Sequence, residues 1–263
     1  MDIENTNSFN NKLQIIKKFE KYQKVISKSE YDVGLYPEVE IGIPTTDEEP
    51  INVRQYRVPP AKERIANEHV GKLLKSGIIG DCFSAYNFPY LLVAKKAAGK
   101  KRFCIDFRKL NTKCKDFTVP IPNIESCLDR LNGNKFYTAI DLCQAYHQIA
   151  IRAEDRHKTA FTAMGRKFCY NRLAFGLRSA PYHFTNIMTT IFGDLSLNTI
   201  LLYLDDILIP TETFEEHMTA LDTTLERLEK SGLKLKPEKC ALAYKSVTFL
   251  GFVISEQGVE VNP

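Results

Sequence analysis

Tyr203-Leu204-Asp205-Asp206 lies between two short apolar runs, Ile200-Leu201-Leu202-Tyr203 and Ile207-Leu208-Ile209. Runs of this length and composition read as buried strands. The chain must therefore fold a hairpin whose tip holds two adjacent carboxylates. A tight hairpin ordinarily carries Asn-Gly or Asp-Gly at its tip, and two like charges repel and resist desolvation. One reading is a solvated polar turn, where adjacent aspartates are common. The other is a carboxylate pair kept for a divalent cation. Asp141 favours the second, because it closes another strand-like run, Phe136-Tyr137-Thr138-Ala139-Ile140-Asp141. If the two strands are neighbours, three carboxylates converge. Oxygen donors with no His or Cys nearby suit Mg²⁺ or Mn²⁺ better than zinc. Two such ions about 3.5–4 Å apart can stabilise the attacking and leaving oxygens of an in-line phosphoryl transfer.

The remaining periodicity places this hairpin in an α+β chain. Leu13, Ile16, Phe19 and Tyr22 are spaced for one helix face. Arg54-Gln55-Tyr56-Arg57-Val58 alternates as a strand, and Pro59-Pro60 opens a helix to about Ser76 with Gly77 as its cap. Pro89 to Ala94 and Arg102 to Phe107 read as the two strands of a hairpin, and Gln148 to Ile151 as a further strand. Ser179 and Pro181 start a helix carrying Phe184, Ile187, Met188, Ile191 and Phe192. Thr213 with Glu216 is a capping-box pattern that opens a helix closed by Gly232. Val247 to Val253 returns to strand. The expected architecture is helices packed on an antiparallel sheet.

Charge is unevenly distributed. Residues 1–50 carry a net −4, residues 51–116 a net +10 and residues 117–263 a net −2, which together make the overall +4. A strongly basic block beside a near-neutral body suggests a polyanionic partner; a solvated basic face is the plainer alternative. No apolar run of about 18 residues could span a membrane, and the Met-Asp-Ile-Glu-Asn start lacks a signal-peptide pattern. The seven cysteines include no Cys-x-x-Cys pair and read as reduced thiols. Gly99-Lys100-Lys101 lacks the spacing of a phosphate-binding loop.

From Val53 to Val261 the chain resembles the reverse transcriptase domain of gypsy-type LTR retrotransposons and, more distantly, that of retroviruses. The resemblance rests on segments that occur in order. They are Gln55 to Pro60, Lys101 to Asn111, Ala139 to Ile149, Phe175 to Pro181, Tyr203 to Leu208, Gly232 to Cys240, and Phe249-Leu250-Gly251. It implies a right-hand polymerase core of fingers and palm, with an antiparallel palm sheet packed on helices; the thumb into which the family continues is not recognised here and is expected to be absent. It further implies RNA-directed DNA polymerase activity, in which a primer 3′-hydroxyl attacks a deoxynucleotide.

Matching residues take their roles from that resemblance. Asp141, Asp205 and Asp206 would hold two Mg²⁺ ions, with Mn²⁺ as an alternative, and the Leu142 carbonyl would add a ligand. Tyr146 would support the incoming sugar and exclude a 2′-hydroxyl, while the backbone N–H groups of Gln144 and Ala145 would bind phosphate. His147 and Asp106 read as structural. Arg102 matches the arginine that grips the triphosphate; Lys95 matches its partner lysine, with Lys96 one residue away. Phe175 and Gly176 would underlie the nascent base pair, glycine allowing close backbone approach. Lys239 is a candidate general acid near the leaving pyrophosphate. Leu250 and Gly251 would grip the primer end.

The expected organisation is a linker or N-terminal extension at 1–50, fingers at 51–119 and 150–174, and palm at 120–149 and 175–247. A primer-grip region at 248–263 would be cut before the thumb. Expected partners are a template–primer duplex of RNA or DNA, dNTPs, and downstream thumb, RNase H and integrase regions of one polyprotein. The expected setting is a cytoplasmic virus-like particle or the nucleus. Two rivals remain at this point: a decayed fragment that binds nucleic acid without polymerising, and a cellular relative such as telomerase or a retron enzyme.

Overall fold

The structure, a computed structural model, describes residues 2–3, 8–94, 101–115, 117–118, 124–131, 133–196 and 199–261. The chain forms two compact units: 1–34, 119–145 and 184–263 make one, and 35–118 and 146–183 the other.

The first unit is built on a five-stranded sheet. Its centre is the strand Phe136–Asp141, flanked by Asp206–Thr211 on one side and Ala241–Tyr244 on the other, both antiparallel to it. Leu201–Tyr203 adds the edge beyond Asp206–Thr211, and Asp2–Ile3 pairs in parallel with Ala241–Tyr244. Alternation sorts the side chains. Tyr137, Leu201 and Leu208 point into an apolar cluster with Cys127, Leu131, Val247, Phe249 and Ile254. The opposite face lies under the helix Phe214–Lys230, where His217 is fully buried. Its ring nitrogens meet Thr138 Oγ1 at 2.7 Å and Thr211 Oγ1 at 2.9 Å. That helix begins with the expected capping box, Thr213 and Glu216 satisfying each other's backbone N–H groups.

In the second unit, Tyr90–Ala94 and Lys101–Ile105 pair as the expected antiparallel hairpin. Arg166–Tyr170 lies between Ile79–Asp81 and Phe161–Ala163. Phe88, Phe107, Phe161, Phe168 and Tyr170 fill the core, with Phe107 edge-on to Phe88 at 5.4 Å. The helix Pro60–Lys75 starts at the Pro-Pro pair, and Gly77 takes φ +70° after its end, as a left-handed cap requires.

Four expectations change. Residues 54–58 form no strand. The Gln55 side chain supplies the pairing instead, accepting from Tyr90 N at 2.9 Å and donating to Tyr90 O at 3.2 Å. A side-chain amide thus replaces a backbone partner at the edge of that hairpin. Residues 247–253 are two strands rather than one, Ser246–Phe249 and Phe252–Ser255. Leu250 (φ +52°) and Gly251 (φ +85°) turn the chain between them, the double left-handed step of a two-residue hairpin. The helix Phe9–Lys21 buries Ile15 and Phe19, whereas Leu13 and Ile16 are exposed. Finally, residues 1–50, expected as a linker or N-terminal extension, carry regular elements of their own. Lys18 pairs with Asp222 at 2.9 Å in the first unit, and Tyr36–Ile41 runs parallel to Ile149–Ile151 in the second. Buried Val25, Tyr36, Ile41 and Ile43 anchor the stretch, which its acidic, proline-bearing composition conceals.

No helix among the described residues is long and apolar enough to cross a membrane, and all seven cysteines are free thiols.

Candidate active site

Asp141 and Asp206 stand directly opposite each other on neighbouring antiparallel strands. Directly opposed residues project from the same face, so both carboxylates lie at the end of the face that carries the Tyr137–Phe249 cluster. Tyr203 pairs with Asp206, leaving Leu204 and Asp205 as a two-residue loop. Leu204 takes φ +55°, a conformation that costs a branched residue roughly 1 kcal/mol. Strain of this kind gathers at functional sites, and here it sits between Tyr203 and the acidic pair.

The electrostatics mark Asp206. Its outer face is open, but surrounding protein desolvates the carboxyl, and Asp205 and Asp141 add like charge; together they push its pKa up to about 6, against a lowering by Lys239. The Lys239 ammonium donates to Asp141 Oδ2 at 2.6 Å. A cleft of about 160 Å³ is lined by Asp141, Asp206, Lys239, Thr248, Phe249 and Leu250. The structure therefore gathers the carboxylates, the candidate acid and the Leu250 turn in one unit. Among the described residues, no group of three His, Cys, Asp or Glu is arranged to hold a metal ion.

Backbone pairing prepares a further oxygen. Lys236 N donates to Asp141 O at 2.8 Å, and Cys143 N donates to Lys234 O at 2.9 Å. Leu142 thus faces Leu235 as the non-bonded member of an antiparallel ladder. In that position its own carbonyl points away from residue 235. Behind this segment, Leu235 N donates to Val25 O at 2.7 Å and Ser27 N to Leu235 O at 3.0 Å. The Val25–Ser27 segment thereby buttresses the residues that follow Asp141. Sequence reasoning missed that support; the apolar pair Val25-Ile26 after the helix was its signal.

Gln144 takes φ +48°, starting the turn into the short helix Ala145–Gln148. In the second unit, the Tyr146 and Phe175 rings lie 5.0 Å apart. His147 meets Phe175 edge-on at 5.0 Å, and the Arg102 guanidinium lies 5.7 Å from the Phe175 ring centre. His147 is structural, as expected: it is buried, its Nδ1 lies 3.0 Å from Leu173 O, and burial lowers its pKa to about 4. Gly176 takes φ +90°, which a side chain would resist. Asp106 is also structural, held bidentately by Arg108 and by the Tyr56 hydroxyl at 3.0 Å. Lys95 and Lys96 lie outside the described residues. Asn111, absent from the expected site residues, bonds Gly176 and Arg178. It stands inside the Lys101–Asn111 motif, where its polar side chain next to buried Leu110 was the available clue.

The profile of the reverse transcriptase (RNA-dependent DNA polymerase) family matches residues 93–254. The chain belongs to this family. It is 36% identical over 226 residues to the retrovirus-related Pol polyprotein from transposon gypsy of Drosophila melanogaster, covering 84% of this chain and 22% of the polyprotein. Against the Pol polyprotein from transposon 297 of the same fly, identity is 35%, covering 83% and 21%. The Tf2-3 polyprotein of Schizosaccharomyces pombe is 34% identical, with 86% and 17% covered. The reverse transcriptase chain thus spans about a fifth of the length of these relatives. Among solved structures, the foamy viral protease-reverse transcriptase in complex with dsDNA matches with a TM-score of 0.90 at 28% identity, covering 97% of this chain and 53% of that one. The same viral protein in complex with an RNA/DNA hybrid matches at 0.89 and 27%, covering 97% and 34%. The expected α+β polymerase fold is therefore the observed one.

Proposed function

We propose that the chain is the fingers-and-palm core of an RNA-directed DNA polymerase, part of a retrotransposon polyprotein. It would extend a primer 3′-hydroxyl with dNTPs on an RNA or DNA template. The observation that carries this reading is the opposed Asp141–Asp206 pair with Asp205 beside it. In this reading the unit containing the carboxylates is the palm and the other the fingers.

The donor chemistry fits divalent metal. The three carboxylates and the Leu142 carbonyl are hard oxygen donors, and the crowding that raises the Asp206 pKa is relieved by a cation. Asp141, Leu142, Asp205 and Asp206 would hold Mg²⁺. Bound there, two such ions supply Lewis-acid activation of the primer hydroxyl and neutralise charge on the phosphates.

The chain's own groups do the rest. Lys239, whose ammonium bonds Asp141, would serve as the proton donor toward the leaving pyrophosphate. Arg102, with Lys95, holds the triphosphate, and the backbone N–H groups of Gln144 and Ala145 contribute phosphate contacts. Tyr146 supports the deoxyribose, and Phe175 and Gly176 lie under the nascent pair. Leu250 and Gly251 hold the primer end. Downstream regions of the polyprotein would complete the grip on the duplex, inside the host cell in a cytoplasmic particle or the nucleus. Primer extension on poly(rA)·oligo(dT) with Mg²⁺, comparing the native chain with Asp205→Asn, tests the assignment.

A further inference from the structure

We infer that Asn111 is a positioning residue for the nucleotide platform, a role that rests on the polymerase reading. Its side chain spans a bend in the segment after Phe175. Asn111 Nδ2 donates to Gly176 O at 2.8 Å, and Arg178 N donates to Asn111 Oδ1 at 2.9 Å. A backbone N–H can only donate and a carbonyl only accept, so these two partners fix the orientation of the amide. A carboxamide of this length offers a donor nitrogen and an acceptor oxygen side by side, and glutamine carries the same pair one methylene further out.

The clamp has a rigid support. Asn111 N donates to Phe107 O at 2.8 Å within the helix Arg108–Lys113. That helix is seated by fully buried Leu110 and by Phe107, which packs edge-on to Phe88 and Tyr170. The clamped segment belongs to no strand, and Gly176 there holds φ +90°. Immediately before it, the Phe175 ring touches Tyr146, His147 and Arg102. One side chain thus ties the rigid core to the ring that meets the sugar-supporting tyrosine and the triphosphate arginine. Asn111 touches no substrate in this account; it acts by fixing where Phe175 and Gly176 stand.

The test uses Asn111→Ala and Asn111→Asp in the native chain. Aspartate keeps the acceptor for Arg178 N–H and loses the donor to Gly176 O. Hydrogen exchange reads the clamp directly: the Arg178 amide loses protection in the alanine variant and keeps it in the aspartate variant. In primer extension, both variants raise the KM for dNTP about five- to tenfold, with the template–primer Kd and the Tm unchanged. Unaltered Arg178 exchange in Asn111→Ala overturns the inference. So does a KM rise accompanied by equal weakening of template–primer binding and a fall in Tm, which marks a general structural role. A wild-type chain that incorporates no nucleotide contradicts the polymerase reading instead, and the exchange measurement still decides the clamp.

Discussion

The Lys239 ammonium donates to Asp141 Oδ2 at 2.6 Å, so the central carboxylate of the proposed metal site already has a cationic partner. Lysine and a divalent ion then compete for one oxygen. The pair is partly exposed, and such pairs are worth about 0.2–1 kcal/mol. Lys239→Ala should therefore tighten Mn²⁺ binding by up to about fivefold in the absence of nucleotide, the affinity equivalent of the upper end of that range. A Mn²⁺ titration followed by water-proton relaxation checks this. Weaker binding in the variant would show that Lys239 holds Asp141 in place for the metal instead of competing with it.

Tyr146 lies against Phe175 at 5.0 Å and is half-buried. If that ring excludes a 2′-hydroxyl, Tyr146→Val should lower the preference for dNTP over rNTP by about tenfold or more, the scale of steric discrimination in a pocket. Competing single-nucleotide incorporations measure the ratio. An unchanged ratio would remove Tyr146 from the sugar site.

His217 gives the first unit a pH dependence. Burial lowers its pKa to about 4, whereas an unfolded histidine titrates near ~6.5. The folded state therefore prefers the neutral ring, which Thr138 and Thr211 satisfy on its two nitrogens. Between those two values the unfolded chain binds more protons, so stability present above pH ~6.5 is lost as the pH falls toward ~4. The contribution is up to about 3 kcal/mol. Denaturant midpoints measured from pH 7 to 4 should fall in the wild type and fall less steeply in His217→Gln. Parallel curves would show that His217 does not titrate on unfolding.

Much of this site was legible because its signals are local. The Asp205-Asp206 tip, the strand ending at Asp141, the capping box at Thr213 and the Pro-Pro helix start each follow from a few adjacent residues. Two kinds of feature were not. Gln55 replaces a strand partner through its side chain, which alternation of apolar and polar residues cannot reveal. Val25, Ile26 and Asn111 act across long sequence separations, on residues 235, 176 and 178. Nothing in their own neighbourhood announces the partner. The split of residues 247–253 lay between these cases. Leu250-Gly251 reads as continuous strand by hydropathy, and only the left-handed backbone at both residues exposes the turn.

The assignment of Asp141, Asp205 and Asp206 as the metal-dependent centre of a polymerase stands or falls on nucleotide incorporation. Its most direct test is primer extension on poly(rA)·oligo(dT) with Mg²⁺, using the chain in the longest product of its own reading frame. Chelation should abolish incorporation by the wild type, and Asp205→Asn should lose at least about a hundredfold, the scale of removing one preorganised transition-state stabiliser. Equal incorporation by Asp205→Asn and wild type would contradict the assignment.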